Sequence, residues 1–402
     1  TMLLKKLPSF NKLDNFHEYL IFFGSASIGS LAFCFSDSFW FNAVEAEVYA
    51  MATLILSALF WLGLKWESEM NTPYGDKWLL LISFIIGLSF GVHFMGLLTI
   101  PALGMLYYFK NVKKITVKNF IAANIISVAI LLFIFKLLLP STLAFFGRAE
   151  VYFVNSLNLP FNSGTIFCGL VLIIFFIYTI NLTKKYNLIN LNTGILCILF
   201  VLIGFSSWLM IPIRSNANTV INENSPTDAR QLLAYYNLEQ YPDTYLFYGP
   251  MFSDMYAGQD NKEPYIDDKP KYERDLKRNK YVIVNHWEKS KINSNSNHRG
   301  LLPRLWSSEH AANYMNFTGP LDFEIDPNYK SSSALKARVD EFKLRIEQEE
   351  VDGSDYDNFF KTLGPYLKIE KPSFLSNLYF LFNYQFGYMY WRYLMWNFTG
   401  RQ

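Results

Sequence analysis

Apolar residues are concentrated in the first half of the chain, in long runs separated by short polar gaps. A membrane-crossing helix needs about 20 such residues. We predict about seven spans, near residues 18–35, 46–64, 78–92, 94–109, 119–139, 165–182 and 191–213. The third and fourth come from one apolar stretch that is too long for a single crossing. We expect a tight turn between them at Gly91-Val92-His93.

Beyond residue 213 the pattern changes to short segments in a polar background. Ser225 and Pro226 are typical of a helix start, which predicts a helix to about Asn237. Residues 244–248 and 280–285 are rich in β-branched and aromatic side chains and predict strands. From Ser333 an amphipathic helix is predicted, with one apolar face formed by Leu335, Val339, Phe342 and Ile346.

Residues 374–398 form the most aromatic segment of the chain. So many Tyr and Trp side chains suit a helix at the headgroup level of a membrane, and packing between two domains explains them equally well. The fold class we predict is mainly α. A multi-pass transmembrane helix bundle occupies 1–213, and an extracytoplasmic α+β region with an aromatic interfacial helix occupies 214–402.

Charge then predicts an orientation. Lysines occur in alternate gaps between the apolar runs, and basic loops stay in the cytoplasm. The other gaps, and everything after Ile213, are therefore predicted to face outside. That assignment brings Glu45, Glu47, His93 and the start of the polar half to one membrane face. The formal net charge of +2 is too small to suggest a nucleic-acid partner.

Glu45 and Glu47 stand immediately before the apolar run of the second span. Ionisable groups at such a depth often serve a pathway or a site, whereas carboxylates at a helix N-terminus are also favoured by the helix dipole. Both interpretations are open. For His93 the alternatives are a catalytic role and a ring that is hydrogen-bonded to a backbone carbonyl at the helix break.

Arg214 is the first charge after the last predicted span, and Asn216 and Asn218 follow it. Guanidinium and amide donors suit a phosphate or a sugar hydroxyl. Interfacial snorkelling and an Asn-rich series of turns would account for the same residues.

The familiar motifs of soluble enzymes are absent from the sequence: it has no Walker loop, Gly-rich dinucleotide turn, Gly-x-Ser-x-Gly elbow or HExxH. Cys34, Cys168 and Cys197 lie in apolar runs and offer neither a disulfide framework nor metal-ligand spacing. We expect no bound cofactor and assign no metal-ligating residues, and whether a divalent metal takes part stays open.

Several stretches resemble a family of multi-pass membrane proteins common in Bacteroidota, formerly a domain of unknown function and grouped with the GT-C glycosyltransferases. That family is similar to a eukaryotic transmembrane O-mannosyltransferase, which shares the Ala-Glu-Val-aromatic-Ala core found here at Ala46–Ala50. The stretches are 39–51, 87–103, 212–226, 239–241, 304–308 and 390–402.

The resemblance implies an inverting transferase of the bacterial inner membrane. It would move a sugar, which is mannose for the eukaryotic relative, from a polyprenyl-phosphate carrier to a protein or glycan acceptor on the outer face. Glu47 and Glu45 would be the catalytic carboxylates. The substrate-binding residues would be Tyr49, His93, Arg214, Asn216 and Asn218. Membrane lipid is a further expected partner.

One departure is that the family's acidic Trp-Asp-x-Gly-Glu-like motif does not occur in this sequence. We expect the chain to be a piece of a longer protein, with the principal catalytic acid upstream. Two other classes of function stay open. A transporter or flippase would also place ionisable groups along a lumen, and a non-catalytic assembly subunit would use the aromatic region for docking.

Overall fold

The computed structural model describes residues 2–7, 10, 15–217, 219–396 and 399. The chain forms two compact units. The first consists of Thr1–Gln240 with Tyr272–Val282, and the second of Tyr241–Lys271 with Ile283–Gln402. Helices dominate, and a few short strands occur in the later part of the chain.

The first unit is helical apart from one hairpin. Its helices are α1 Phe16–Cys34, α2 Asp37–Val44, α3 Tyr49–Glu69, α4 Asp76–Ser89, α5 Thr99–Asn111, α6 Val117–Leu132, α7 Leu139–Asn155, α8 Ser163–Lys185, α9 Ile189–Phe205, α10 Met210–Asn216 and α11 Ala229–Tyr236. The break expected near His93 is confirmed, since α4 ends at Ser89 and a 3-10 turn, Phe94–Leu98, leads into α5.

Not every predicted span is long enough to cross a membrane. Of the helices in the described part of the chain, four are long and apolar enough: Tyr49–Glu69, Val117–Asn155, Ser163–Lys185 and Ile189–Asn216. The pair α1 and α2, bent by 58°, makes a fifth if it is one span. By contrast α4 has 14 residues, about 21 Å of helix, against a hydrocarbon core of about 30 Å. The number of crossings therefore stays a prediction.

The longest of these candidates joins α6 and α7 into one helix of 39 residues. Its middle, Phe133–Leu138, is π-helical, so the backbone there is wider than in an α-helix. At about 58 Å the helix exceeds the thickness of a bilayer. The stretch after Pro140, which the sequence predicts as an outer gap, is helical as far as Asn155.

The core of the first unit is formed where α3, α4, α5 and α9 pack together, and its buried side chains include Leu59, Leu62, Ile82, Ile86, Val201 and Phe205. Two glycines allow α4 and α9 to approach closely. A Cβ atom on Gly87 would overlap the Val201 carbonyl, and one on Gly204 would overlap the Phe84 carbonyl. Any larger residue at either position would push these helices apart.

The second unit combines short helices with two-residue to four-residue strands. The helices are α12 Asp254–Ala257, α13 Ala311–Thr318, α14 Ser333–Glu347, α15 Gly353–Leu363, α16 Phe374–Tyr379 and α17 Trp391–Met395. In chain order the strands are β1 Tyr248–Pro250, β2 Tyr265–Ile266, β3 Tyr272–Asp275, β4 Lys280–Ile283, β5 Lys291–Ile292, β6 Arg299–Leu301, β7 Phe323–Ile325 and β8 Leu367–Ile369.

The strands pair as separate two-stranded sheets. Antiparallel pairing joins β1 to β6, β2 to β5 and β7 to β8. Strands β3 and β4 pair with each other, and residues 272–282 of this hairpin belong to the first unit. The core of the second unit surrounds Phe252, Leu305, Val339 and Phe360.

The helix predicted from Ser333 is confirmed as α14, with Leu335, Val339 and Phe342 buried. The start predicted at Ser225 is wrong. Asn224 and Ser225 have positive φ angles of 56° and 40°, and Asp228 is the cap, because its side chain accepts the Gln231 N–H.

Of the two strands predicted in the polar half, one is confirmed and the other is mostly wrong. The strand at 280–285 is present as β4. The strand at 244–248 is wrong except at its end, because only Tyr248–Pro250 faces a partner strand, β6. Leu246 and Phe247 are exposed and unpaired with any described strand. Whether 213 is the boundary between membrane and exterior stays a prediction.

A buried histidine lies in the second unit. The ring of His298 is 6 % exposed, and its Nδ1 lies 2.9 Å from the Ser253 Oγ. Burial, and then the charge of Lys371, lower the pKa of His298 to about 4. The folded unit therefore holds this ring neutral under conditions in which an unfolded chain would protonate it.

This histidine predicts a pH-dependent stability. Above pH 6.5 both states carry a neutral ring, and between about 6.5 and 4 only the unfolded chain binds the proton. We expect the free energy of unfolding of the second unit to fall by about 2–3 kcal/mol as the pH drops through that window. Denaturant titrations of the whole chain in detergent at several pH values would measure it.

His298→Gln should flatten the profile between pH 6.5 and 4, whereas His310→Gln, at an exposed position, should leave it unchanged. Asp243, whose pKa is lowered from 3.8 to about 2 by hydrogen bonds from Lys269 and Lys291, stabilises the folded state, and this contribution is lost only as the pH falls below about 3.8. An unchanged slope in His298→Gln would contradict the assignment.

Candidate functional site

The two predicted catalytic carboxylates lie in the turn between α2 and α3. Glu45 ends α2, where its N–H donates to the Phe41 carbonyl at 3.1 Å. Both side chains are exposed, and neither has a hydrogen-bond or salt-bridge partner among the described residues. Glu47 therefore stands ahead of the first turn of α3 with its oxygens accessible. This position fits both interpretations of the pair, a functional site and carboxylates that the dipole of α3 favours.

Tyr49 and His93 are brought together. Their ring centroids are 5.8 Å apart, so the first residue of α3 contacts the break after α4. The Nδ1 of His93 accepts the Met95 N–H at 3.2 Å and so caps the 3-10 turn. This differs from the expected bond to a carbonyl. In the neutral ring the proton then resides on Nε2, which can donate to a ligand.

The break after α4 also contacts the segment that leads to Arg214. Trp208 donates its indole N–H to the Phe90 carbonyl at 2.8 Å. Gly91 lies against Ser207, where a Cβ atom would come within 2.9 Å of the serine Oγ. The end of α9 and the turn before His93 are thereby fixed to each other.

Arg214 lies in the last turn of α10 and is exposed. In the part of the chain that the structure describes, it forms no ion pair, and no hydrogen bond or ring contact joins it to Tyr49 or His93. Asn216 donates its amide to the carbonyls of Pro212 and Thr227, at 2.8 and 2.9 Å. Its amide group thus ties α10 to the start of α11. Asn218 lies outside the described residues.

Glu150, a residue that is not among the candidates predicted from the sequence, is completely buried on α7. Its Oε1 accepts the Asn162 N–H at 2.5 Å, and its Oε2 accepts the N–H and the hydroxyl of Thr165, both at 2.9 Å. Residues 162–165 form the start of α8, whose first N–H groups lack partners within the helix. Glu150 satisfies two of them and complements the helix dipole.

The hairpin of β3 and β4 is attached to the same carboxylate. The Tyr281 hydroxyl lies 3.4 Å from Glu150 Oε1. The Asn155 side chain accepts the Tyr281 N–H with its oxygen and donates its amide N–H to the Tyr281 carbonyl, both at 2.8 Å. Burial, followed by the charge of Asp228, raises the pKa of Tyr281 above its usual range, so the hydroxyl stays protonated and can donate.

Arg274 completes this network. Its Nη2 donates to Asn162 Oδ1 at 2.8 Å, and its Nε donates to the Tyr281 hydroxyl at 3.2 Å. The same Nε lies 2.9 Å from Asp228 Oδ2. Arg274 thus forms an ion pair with Asp228, whose side chain is fully buried. The hairpin is thus held to α7, to the start of α8 and to the cap of α11.

A cavity of about 360 Å³ lies beside the network, within the first unit. Most of its wall is apolar, and Asn162, Thr165 and Asp228 supply polar groups. The apolar side chains include Leu143, Phe146, Leu172, Leu202, Phe205 and Trp208. Within the described ranges, no three His, Cys, Asp or Glu side chains are grouped as a metal ion requires.

One feature of the sequence could have drawn attention to Glu150. It is the single acidic residue between Pro140 and Gly164. Nothing in the sequence links it to Tyr281 or Arg274, which are more than a hundred positions away.

Replacing this carboxylate should release the hairpin. We expect Glu150→Ala to lower the free energy of unfolding of the first unit by about 3 kcal/mol, because buried donors lose their acceptor. Tryptic cleavage at Arg274, Lys277 and Arg278 should accelerate, as measured on the folded protein in detergent. Glu150→Gln should be intermediate, since its amide keeps one oxygen acceptor.

Arg148→Ala, at an exposed position of the same helix, is the matched control and should change stability by less than about 0.5 kcal/mol. Cleavage of the hairpin at the wild-type rate in Glu150→Ala would show that Glu150 does not hold it.

Comparisons with known proteins match two parts of the chain. Residues 1–116 match the family model described as Protein O-mannosyl-transferase TMEM260 N-terminal domain. Residues 242–382 match a family of unknown function, DUF8416. No curated protein and no solved structure matches. The first matched part contains Glu45, Glu47, Tyr49 and His93, and it supports the similarity to the eukaryotic O-mannosyltransferase that the sequence indicated.

Proposed function

We propose that the protein is a membrane glycosyltransferase of the O-mannosyltransferase type. The observation that carries the proposal is the match of residues 1–116 to the N-terminal domain of an O-mannosyl-transferase. The donor would be a sugar on a polyprenyl-phosphate carrier, and the acceptor a hydroxyl of a protein or glycan on the outer face of the membrane. Membership of the GT-C class is part of the proposal.

The reaction needs a base, a donor of hydrogen bonds and a site for phosphate. The acceptor oxygen attacks the anomeric carbon and gives its proton to a carboxylate. The bond from that carbon to the phosphate oxygen breaks, and its electrons leave with the phosphate, so the configuration inverts. Charge on the leaving phosphate is stabilised by cationic or N–H donors.

Glu47 is the carboxylate that the proposal assigns to the acceptor hydroxyl. It lies in the Ala-Glu-Val-aromatic core at Ala46–Ala50, and its oxygens are exposed and unpaired among the described residues. Tyr49, two residues later, contacts His93, whose Nε2 is available as a donor. These three residues supply a proton acceptor and a hydrogen-bond donor close to the start of α3.

Arg214 is the residue that the proposal assigns to the carrier phosphate. It lies in the last turn of a helix, Ile189–Asn216, that is long and apolar enough to span a membrane, and it is exposed there. Carrier phosphate would be found at such a depth, where an apolar segment meets water. The competing explanation is that Arg214 only complements the C-terminal end of α10.

Glu47→Gln should keep the fold and membrane level of the full-length protein but lower sugar transfer by about 10²–10⁴-fold, because the amide cannot accept the proton. Glu45→Gln is the matched control. It lies in the same exposed turn but outside the shared core, and it should lower activity less than Glu47→Gln does. Transfer from a radiolabelled lipid-linked donor would measure both. Equal rates for Glu47→Gln and wild type would refute the role.

Arg214→Ala should weaken donor binding by about ten- to a hundred-fold, because a charge-assisted contact to phosphate contributes roughly 1.5–3 kcal/mol. Arg214→Lys should restore binding only in part, since an ammonium lacks the planar two-pronged geometry. Titration of the lipid-linked donor against the three proteins measures this. If Arg214→Lys and Arg214→Ala both bind the donor with wild-type affinity, Arg214 does not bind the phosphate and is only an interfacial anchor.

A further inference from the structure

The aromatic segment of the second unit forms one helix, and the aromatic rings near its C-terminal end are exposed. Segments of 6, 11 and 5 residues, α16, the π-helical stretch Phe380–Tyr390 and α17, follow one another without a break. Its first part packs on the core. Asn377 is fully buried and accepts the Leu305 N–H at 3.3 Å. The rings of Tyr314 and Phe380 are 5.3 Å apart.

Beyond Tyr384 the helix extends away from that core. The ring contacts of Phe386, Tyr388 and Tyr390 are, among the described residues, with other side chains of the same helix. Large apolar side chains here remain about half exposed: Phe386 44%, Tyr388 52%, Tyr390 53%, Trp391 54% and Tyr393 52%. At helical spacing these positions span more than half of the circumference, and the partly buried Gln385, Met389, Arg392 and Trp396 form the remaining stripe.

A helix with so wide an apolar surface is stable only when that surface is covered. A groove on another protein covers one stripe of a helix, with anchors at i, i+3, i+4 and i+7, and would leave the other aromatic rings in water. The headgroup region of a lipid layer covers a wider arc of the helix and leaves one stripe free to face protein or water. The distribution of these rings therefore favours lipid over a protein partner.

The kinds of side chain indicate the depth. Tyrosine and tryptophan are enriched where a membrane meets water, because the ring is apolar and its polar group needs a partner. From Pro372 to Trp396 the sequence contains one charged residue, Arg392, and no acid. Arg392 lies 4.2 Å from the Tyr388 ring centroid and donates to its hydroxyl at 2.6 Å. An arginine so placed can reach lipid phosphates while its stem stays among the rings.

We propose that residues 385–396 are an interfacial anchor that inserts into the headgroup region of a phospholipid bilayer. The anchor attaches the second unit directly to lipid, independently of the predicted spans in the first unit. Membrane insertion of this anchor requires no sugar-transfer activity, so the anchor can be tested independently of the proposed transferase function.

The test uses spin labels on the full chain in phospholipid nanodiscs. Cys34, Cys168 and Cys197 are replaced, and a single cysteine is placed at Phe386→Cys or Tyr390→Cys. Collision with oxygen, which dissolves in lipid, is compared with collision with a water-soluble nickel chelate. Leu344→Cys is the matched control, because Leu344 is 54% exposed on α14 of the same unit.

We expect the ratio of oxygen to nickel accessibility at Phe386→Cys and Tyr390→Cys to be several-fold above that of Leu344→Cys. Nickel accessibility equal to the control would place the segment in water and overturn the proposal. Low accessibility to both reagents would place it inside protein and would overturn it too.

A second measurement avoids the cysteine-free background. Lipids brominated on the upper part of the acyl chain quench nearby tryptophans. Wild type should lose more fluorescence in such nanodiscs than Trp391→Phe. Equal quenching of the two proteins would contradict insertion at Trp391.

Discussion

The carboxylate of Glu150 is the contact on which most of the polar structure of the first unit depends. It is completely buried, and it accepts two backbone N–H groups at the start of α8 together with the Thr165 hydroxyl. An isolated charge in that position would be costly, and its cost is offset by these donors and by Tyr281. The end of α7, the start of α8 and the hairpin thereby meet at one side chain.

Arg274 extends that arrangement without an extra uncompensated charge. It donates to Asn162 and Tyr281, and an ion pair with the buried carboxylate of Asp228 extends the arrangement to α11. The candidate catalytic turn is held differently. Glu45 and Glu47 are exposed in a turn between two helices, and a substrate would have to order their side chains.

Much of the helical layout could be predicted from the sequence, because apolar runs and their breaks are local signals. The break near His93 and the buried face of α14 illustrate this. The contact between Tyr49 and His93 joins distant parts of the chain, and only their predicted location at one membrane face suggested it. The cap of α11 was misplaced because positive φ angles at Asn224 and Ser225 cannot be foreseen from a Ser-Pro pair. Glu150 was missed because its partners are brought to it by tertiary structure alone.

The π-helical stretch Phe133–Leu138 has a consequence for the orientation of everything after it. A π-turn accommodates one residue more than an α-turn, and one residue corresponds to a rotation of about 100° around the helix axis. Side chains beyond the stretch therefore point about 100° away from where an uninterrupted α-helix would place them. Glu150 lies on α7, beyond the widened segment, so its contact with the start of α8 includes this rotation.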